Sequence, residues 1–590
     1  MIEKHILSEL DSLPSGGLTV RKIKGREYTY YQWTEDGKQK SRIVHGDEKN
    51  TLKALIERRK ALEQMLKYGS SLIMESDSLF RTVIRTGAKL DDFVNPVRKF
   101  RKREVFSKLF RYINDDSPDY VCILFGLRRT GKTTMMRQAI AEMSDTKRRL
   151  AAYIQVNSSN TMADLNNDLR RLEKLGYRYV FIDEVTLMED FIQGAALLSD
   201  IYVASGMKIV LSGTDSLGFL FSEDEELFDR CMMLHTTFIP FREFAEVLGK
   251  GDIDSYIIYG GTMTQSGDVY NRILFESGAR TGEYVNTAIA GNIQHSLKYY
   301  RNGSHFRSLK ELYDNDELTD VINRIVEEMN HEFALKVLVN DFISHDFGSA
   351  KDIMRKDREK PTDVLDHVDE NKLTRNIMDF LSIRNASERK TKIRDIHRIQ
   401  IKEYLKLLDL IAEIPVRDIN DPKCSTVRVV FTQPGLRYSQ SEALIKSLLM
   451  DETFISVSAL ERQRITGRIL SDIKGRMLEE IILLETAMVN PDKQVFTLQF
   501  AVGEFDMVVF DAEKAVCEVY EIKHSNKVHP RQVRHLLNVE NLERTEYRYG
   551  KIMKRAVIYR GVEFTDDNGI EYINAEKYLM GLKKGRRDPE

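Results

Sequence analysis

The run Val121-Cys-Ile-Leu-Phe-Gly-Leu-Arg-Arg-Thr-Gly-Lys-Thr-Thr-Met-Met-Arg-Gln-Ala-Ile140 decides how the rest of the chain is read. The apolar stretch Val121 to Phe125 reads as a buried strand. It is followed by Gly126-Leu127-Arg128-Arg129-Thr130-Gly131-Lys132-Thr133, a complete GxxxxGK[ST] pattern that opens a helical one. Glycines let backbone N–H groups close around phosphate oxygens, and the start of the following helix adds partial positive charge. Gly126, Arg129, Thr130, Gly131, Lys132, Thr133 and Thr134 are therefore the candidate phosphate-binding positions, with ATP and Mg²⁺ as the expected cofactors. Lys132 is placed to reach the β- and γ-phosphates, and the Thr133 hydroxyl to ligate Mg²⁺.

A phosphate loop of this kind demands a second apolar strand that ends in a carboxylate. Tyr179-Val-Phe-Ile-Asp183-Glu184 supplies it, fifty positions after Thr133. Asp183 sits where it can hold Mg²⁺, and Glu184 where it can polarise an attacking water, which favours hydrolysis over binding alone. A third strand, Lys208 to Thr214, ends in hydroxyls. Ser212 or Thr214 there either senses the γ-phosphate or simply closes a polar strand end. Arg230 is the candidate transition-state arginine, with a structural salt bridge as the alternative reading, and whether it acts within its own chain or on a neighbour's nucleotide is open.

Outward from this centre, the chain has 590 residues, enough for roughly three to five domains. It is 42% hydrophobic and 31% charged, which excludes a wholly disordered protein. With 89 Lys+Arg against 91 Asp+Glu, the net charge of −2 gives no global signal for nucleic acid, so any basic surface is local. The four cysteines (Cys122, Cys231, Cys424 and Cys517) have no metal-ligand spacing and read as buried thiols of a reducing compartment. The charged N-terminus lacks a leader's apolar region, and no apolar run reaches the ~18 residues of a membrane helix. A cytoplasmic protein with no membrane partner is expected.

Residues 17–44 alternate aromatic and basic positions around an Asp36-Gly37 turn, and 50–67 have a helical apolar face formed by Leu52, Leu55, Ile56, Leu62, Met65 and Leu66. Tyr28, Tyr30, Tyr31 and Trp33 beside Arg21, Lys22, Lys24, Arg26, Lys38, Lys40 and Arg42 form either a nucleic-acid surface or a half-buried strand pair with a solvated basic face. The basic run 98–112 reads as a solvated helix face or as a phosphate contact. The expected units are a small hairpin-plus-helix module (1–95), an α/β phosphate-loop domain with a parallel sheet (96–248) and a helical lid (249–330). After these come a helical, winged-helix-like region (331–440) and a C-terminal α/β unit (441–590). The winged-helix expectation rests on Tyr404–Val416, an apolar-faced helix that runs into a β-like tail.

The C-terminal unit holds a second set of carboxylates. Glu479 lies on a helix with an apolar face, Asp506 enters an apolar strand, and Glu521 and Lys523, two apart in a strand, project from one face. A helix Glu, a strand Asp and a strand Glu-x-Lys are the parts of a metal-dependent phosphodiesterase site. In it Glu479, Asp506 and Glu521 hold Mg²⁺ or Mn²⁺, and Lys523 orients water or neutralises developing charge. Gln532 on the following helix is either a helper at that site or a solvent-facing residue. His524, His529 and His535 show no ligand spacing.

The set GLRRTGKTT, FIDEV, LSGTDS, PFREFAEVLG and YGG resembles the prokaryotic AAA-type P-loop ATPase family whose members carry a C-terminal domain of PD-(D/E)XK nuclease character. The resemblance covers roughly residues 98–545, loosely in the middle, and leaves 1–95 outside. It implies the roles already read for Lys132, Thr133, Asp183 and Glu184, and places Arg230 where members often keep an arginine. It also implies that Glu479, Asp506, Glu521 and Lys523 belong to a restriction-endonuclease-like domain. The expected function is ATP-dependent processing of nucleic acid, with DNA as partner, a homo-oligomer as an option, and a setting in defence or a mobile element. The alternative is an ATP-switched regulator whose nuclease-like domain binds without cutting.

Overall fold

A computed structural model describes residues 13–23, 26–35, 38–45, parts of 48–60, 80–115, 120–188, 190–214, 230–263, 265–266, 269–270, 278–299, 306–343, 393–421, 425–448 and 458–582. The Asp36-Gly37 turn, Lys24, Leu62, Met65, Leu66 and Cys424 lie outside them, as do residues 344–392. Three strands come first, β1 (Gly17–Ile23), β2 (Arg26–Glu35) and β3 (Lys38–Val44), paired antiparallel in chain order. Glu35 lies opposite Lys38, as a two-residue turn requires. Tyr31 and Val44 bury one face of this small sheet against Leu52 and Ile56. Tyr31 and Trp33 stack there with ring centroids 5.1 Å apart.

The nucleotide domain is built on a six-stranded sheet. Its strands are β4 (Val83–Arg85), β5 (Val121–Phe125), β6 (Ala151–Gln155), β7 (Tyr179–Asp183), β8 (Lys208–Gly213) and β9 (Cys231–His235), in the order β4-β6-β7-β8-β5-β9. All pairs are parallel except β4 with β6. Strands β5 to β8 are apolar along almost their whole length because helices cover both faces, as parallel sheets demand. The phosphate loop leaves the C-terminal end of β5 and enters α3 (Lys132–Glu142); before it come α1 (Gly87–Val94) and α2 (Phe106–Asn114). The expected boundary at residue 96 shifts to about residue 80. Strand β4 completes the sheet edge, and Leu90 and Val94 of α1 belong to its core. The Asp168 carboxylate, on α4 (Met162–Lys174), accepts from the Thr82 amide and hydroxyl at 2.8 and 2.7 Å, which fastens the start of this segment.

Helices α5 (Phe241–Leu248), α6 (Ile253–Tyr259), α7 (Gly291–Tyr299), α8 (Leu318–Ile343), α9 (Asp395–Leu407) and α10 (Pro434–Leu448) form the middle. The winged-helix reading of 331–440 needs correction. Helix α9 does run into a strand pair, β10 (Ile411–Asp418) and β11 (Ser425–Phe431), but that hairpin is no separate wing. Val416, Arg417 and Asp418 pair in parallel with Thr497, Leu498 and Gln499, so the hairpin extends the C-terminal sheet. That unit therefore begins near residue 411 in space, thirty positions before its expected start, because the second strand neighbour of β10 is β12.

The C-terminal unit comprises α11 (Ala459–Val489), β12 (Gln494–Gln499), β13 (Glu504–Asp511), β14 (Val516–Ile522), α12 (Val539–Tyr549), β15 (Lys551–Tyr559), β16 (Phe564–Thr565), β17 (Glu571–Asn574) and α13 (Ala575–Gly581). The eight strands run β11-β10-β12-β13-β14-β15-β17-β16. Strands β12, β13 and β14 form an antiparallel meander, whereas β14–β15 and β15–β17 are parallel. One apolar core joins α5 and α6 to α10, α11 and this sheet, through Phe241, Phe244, Tyr256, Ile257, Leu444, Leu478, Ile482 and Ile558 among others. The nucleotide domain and the C-terminal sheet are thus packed on a shared interior.

Candidate functional site

The glycine loop is held open by its surroundings. Gly126 has φ of +135°, and a Cβ there would lie 2.7 Å from the hydroxyls of both Thr236 and Thr237, so only glycine fits. Thr237 accepts from the Leu127 amide at 3.0 Å; the Thr236 hydroxyl donates to Phe125 O at 2.9 Å and lies 2.8 Å from the Thr130 hydroxyl. Arg103 is buried and braces the loop from behind. Its guanidinium donates to the carbonyls of Thr130 (2.6 Å), Thr236 (2.7 Å) and Phe238 (3.0 Å) and grips Glu243 with both arms (2.8 and 3.0 Å). This residue of the 98–112 run is neither a solvated face nor a phosphate contact. Its charge is spent on the protein itself.

Lys132 is buried and donates to Gly126 O and Leu127 O, both at 2.8 Å. Burial pulls its ammonium down to about 8, partly countered by Glu184 and Asp183. Thr133 Oγ1 donates to Asp183 Oδ2 at 2.8 Å, so the hydroxyl and carboxylate expected to share Mg²⁺ are adjacent. Asp183 also accepts from the hydroxyls of Tyr153 and Ser212. Glu184 sits just past the strand with φ of +59°, a left-handed conformation uncommon outside glycine that costs a few kcal/mol at most and re-aims a side chain. Thr214 Oγ1 donates to Glu184 Oε2 at 3.4 Å, and burial raises the Glu184 carboxyl above its ordinary range, as a proton acceptor for water would need. Gly131, Arg129 (φ +67°) and the half-buried Thr134 complete the loop. Asn292 on α7 donates to Thr214 O and accepts from the Tyr404 hydroxyl at 3.3 Å, tying the end of β8 to the helical region.

These residues converge at one end of the sheet. Arg230 does not join them. It precedes β9, its carbonyl accepts from the Val121 amide at 2.9 Å, and Val121 begins the strand whose far end carries the loop. A five-residue strand separates the two ends by about 16 Å. Arg230 pairs with Asp200 at 2.8 Å with both side chains half exposed, so within one chain it is an ion pair at the opposite sheet edge.

In the C-terminal unit, Glu479 from α11, Asp506 from β13 and Glu521 from β14 are all buried. Lys523 Nζ lies 2.9 Å from Asp506 Oδ2 and 2.8 Å from Glu521 Oε2, and Asp506 accepts from the Ile522 amide at 2.7 Å. Glu479 is held instead by Arg476 at 2.7 Å, with Arg428 at 3.8 Å. Burial pushes Glu479 up to about 7 and Glu521 well above its ordinary range, the latter also repelled by Asp506. Asp506 is low despite its burial, because Lys523 and the Ile522 amide hold the charge. Among the described residues no three His, Cys, Asp or Glu side chains are gathered as a metal-ligand group. Yet Glu521 Oε1 is buried with no hydrogen-bond partner, beside a second carboxylate that repels it. A hard divalent cation on Asp506 and Glu521 would relieve both, so the donor set suits Mg²⁺ or Mn²⁺.

The sequence-level helper Gln532 is used locally, accepting from His529 N and donating to Lys527 O, each at 3.0 Å. His529 accepts from the Arg531 amide at 3.3 Å in the same turn, and His535 lies against Gly503. Tyr153, Arg103, Asn292 and the Thr236-Thr237 pair went unrecognised in the sequence. A side chain aimed at a partner 27 to 140 positions away leaves no local pattern. Only the Thr-Thr doublet at the end of β9 had a visible place, next to the loop strand.

Residues 118–245 match a family model described as AAA domain. The AAA-type P-loop ATPase reading of this segment thus stands on the match as well as on the geometry. No curated protein matches the chain. Among solved structures, an Orc1 protein of Aeropyrum pernix in complex with DNA is 13% identical. The alignment covers 62% of this chain and 99% of that one, with a TM-score of 0.22. Cdc6p from Pyrobaculum aerophilum is 11% identical over 61% and 98% of the two chains, also with a TM-score of 0.22. A structure describing katanin self-assembly is 10% identical over 39% and 86%, with a TM-score of 0.20. Scores this low add nothing to the reading of the site. No described helix is long and apolar enough to cross a membrane.

Proposed function

We propose that this protein hydrolyses ATP and uses the nucleotide cycle to act on DNA, with a metal-dependent phosphodiester-cleaving site in its C-terminal unit. The observation that carries the first part is the contact of Thr133 with Asp183, next to a buried Lys132 and a Glu184 turned out of its strand. With ATP bound, Lys132 exchanges two loop carbonyls for phosphate oxygens. Thr133 and Asp183 would hold the magnesium, which neutralises phosphate charge. Glu184, high in pKa and steadied by Thr214, is the group that orients and deprotonates water.

The cleavage reading rests on Asp506, Glu521 and Lys523 meeting on neighbouring strands under α11, with one carboxylate oxygen unpartnered. Asp506 and Glu521 would hold the cation, whose chemistry there is to acidify water and offset phosphate charge. Lys523 keeps its proton, its pKa raised by both carboxylates in spite of burial, and so can only donate or neutralise. The expected assay result is nicking of supercoiled plasmid with Mg²⁺ or Mn²⁺, lost in Asp506→Ala and Lys523→Ala. Wild-type protein that leaves the plasmid intact with either metal, with and without ATP, removes the cleavage part.

A second reading has its own observation. Arg476 occupies Glu479, and Lys523 bridges the other two carboxylates, an arrangement that is already charge-paired without a metal. In that case the unit binds nucleic acid or a protein under ATP control. Cellular function that survives Asp506→Ala and fails with Lys132→Ala decides for it.

A further inference from the structure

The segment from α6 to Met263 reaches from the phosphate loop to the neighbours of the carboxylate–lysine site. Beyond the C-terminal end of α6, the Met263 amide donates to Arg129 O in the phosphate loop at 2.8 Å, and the Met263 Cβ lies 3.9 Å from where a Cβ on Gly131 would be. The turn before Met263 has no slack. Gly260 O accepts from the Gly435 amide at 3.1 Å. Gly261, at φ of +105°, is pressed so closely on Gln433 that a Cβ would lie 2.5 Å from it. Ile253, Tyr256 and Ile257 anchor the helix in the shared apolar core.

Near its first turn α6 presents Asp254, and three elements of the C-terminal unit converge on that one carboxylate. His524 Nε2 lies at 3.2 Å, Lys474 Nζ at 3.1 Å, and Arg560 forms a close ion pair. His524 directly follows Lys523 at the end of β14. Lys474 lies on α11 five positions before Glu479, and Arg560 follows β15, whose Ile558 carbonyl accepts from the Lys523 amide at 2.8 Å. The partners of Asp254 therefore lie on three elements around the carboxylate–lysine site: the end of β14, α11 and the end of β15. A helix of seven residues is about 10 Å long, close to two turns, and together with the turn up to Met263 it forms the link between the two sites.

We propose that Asp254 is a positioning residue through which nucleotide in the phosphate loop controls the setting of Lys523. The proposal deepens the cleavage reading above and rests on it. The two-state element is the loop itself. In this structure Lys132 binds the carbonyls of Gly126 and Leu127; a bound triphosphate takes Lys132 away from them. The freed loop re-sets the Arg129 carbonyl that holds Met263, and the wedged turn passes the shift to α6 and Asp254. Nucleotide thus has different contacts with the two states, as a coupling free energy requires.

The test is hydrogen–deuterium exchange on the full chain, with and without a non-hydrolysable ATP analogue and Mg²⁺, in wild type, Asp254→Asn and Lys474→Met, alongside plasmid nicking under the same conditions. The expected result in wild type is protection of the phosphate loop together with a change of roughly fivefold or more in exchange across residues 519–526, the lower end of ordinary allosteric coupling. In both variants the loop remains protected and the change at 519–526 disappears. Loop protection with no change at 519–526 in wild type overturns the proposal and leaves both site readings standing. A change that survives in the two variants also overturns it. A wild type that shows the coupled exchange but nicks no plasmid retains the link and removes the cleavage reading.

Discussion

Lys132 and Glu184 of the candidate nucleotide site are both perturbed by burial, in opposite directions. Burial pulls Lys132 down to about 8. Phosphate oxygens stabilise the ammonium, so binding raises its pKa and draws a proton from solvent when the pH is near or above 8. Calorimetric titrations with Mg·ATP at pH 8, in buffers of different ionisation heat, should register proton uptake that disappears at pH 6.5, where Lys132 is already charged. Affinity should fall as the pH climbs beyond 8; an affinity flat from pH 7 to 9.5 would contradict the assignment. Arg103 gives a different kind of prediction. Arg103→Met leaves Glu243 buried and unpaired and frees three carbonyls, a loss of about 3–5 kcal/mol. A fall in Tm of several degrees with weakened nucleotide binding checks this, and an unchanged Tm argues against it. Lys132, Thr133, Asp183 and Glu184 were legible as residues because the loop and the strand-ending acids are local patterns. Arg103 was not, since a basic run reads alike whether its members face water or are buried.

Elements were legible where periodicity and burial agreed. Strands β5, β7 and β8 stood out as short apolar runs because parallel strands are covered on both faces. The hairpin β10–β11 misled as a wing, since a helix running into a strand does not reveal which sheet that strand joins. Between elements, the contact of α5 with α11 carries a testable charge. Glu485 on α11 accepts from the Phe241 amide at 2.6 Å and is pushed by burial up to about 8, from an ordinary value of 4.5. A raised carboxyl means that the folded state holds its proton over pH 4.5 to 8 while the unfolded chain has lost it. Stability from this group is therefore full below pH 4.5 and declines as the pH rises to 8. Glu485→Gln keeps the acceptor and cannot ionise. It should raise Tm at pH 8.5 by a few degrees, on the order of 1–2 kcal/mol, and leave Tm at pH 5 unchanged. Equal effects at both pH values would refute the account of this contact.

Over the whole molecule, the C-terminal sheet shares one apolar core with α5 and α6, beside the separate cores of the nucleotide sheet, which the sequence could not reveal. The apolar residues of α5, α6, α10 and α11 show which face of each helix is buried, but not that one interior serves them all. The domain limits suffered for the same reason: β4 and α1 belong to the nucleotide sheet although the chain reaches them well before the loop. The order Glu479, Asp506, Glu521, Lys523 was readable, and the structure brings the last three together while Arg476 holds the first. What the whole account needs is turnover of a bound triphosphate. The direct measurement is phosphate release from Mg·ATP by purified wild type and Glu184→Gln. The account predicts steady release by wild type and a loss of about a hundredfold or more in the variant, with ATP still bound. No release above background from wild type, or equal release from both proteins, would contradict it.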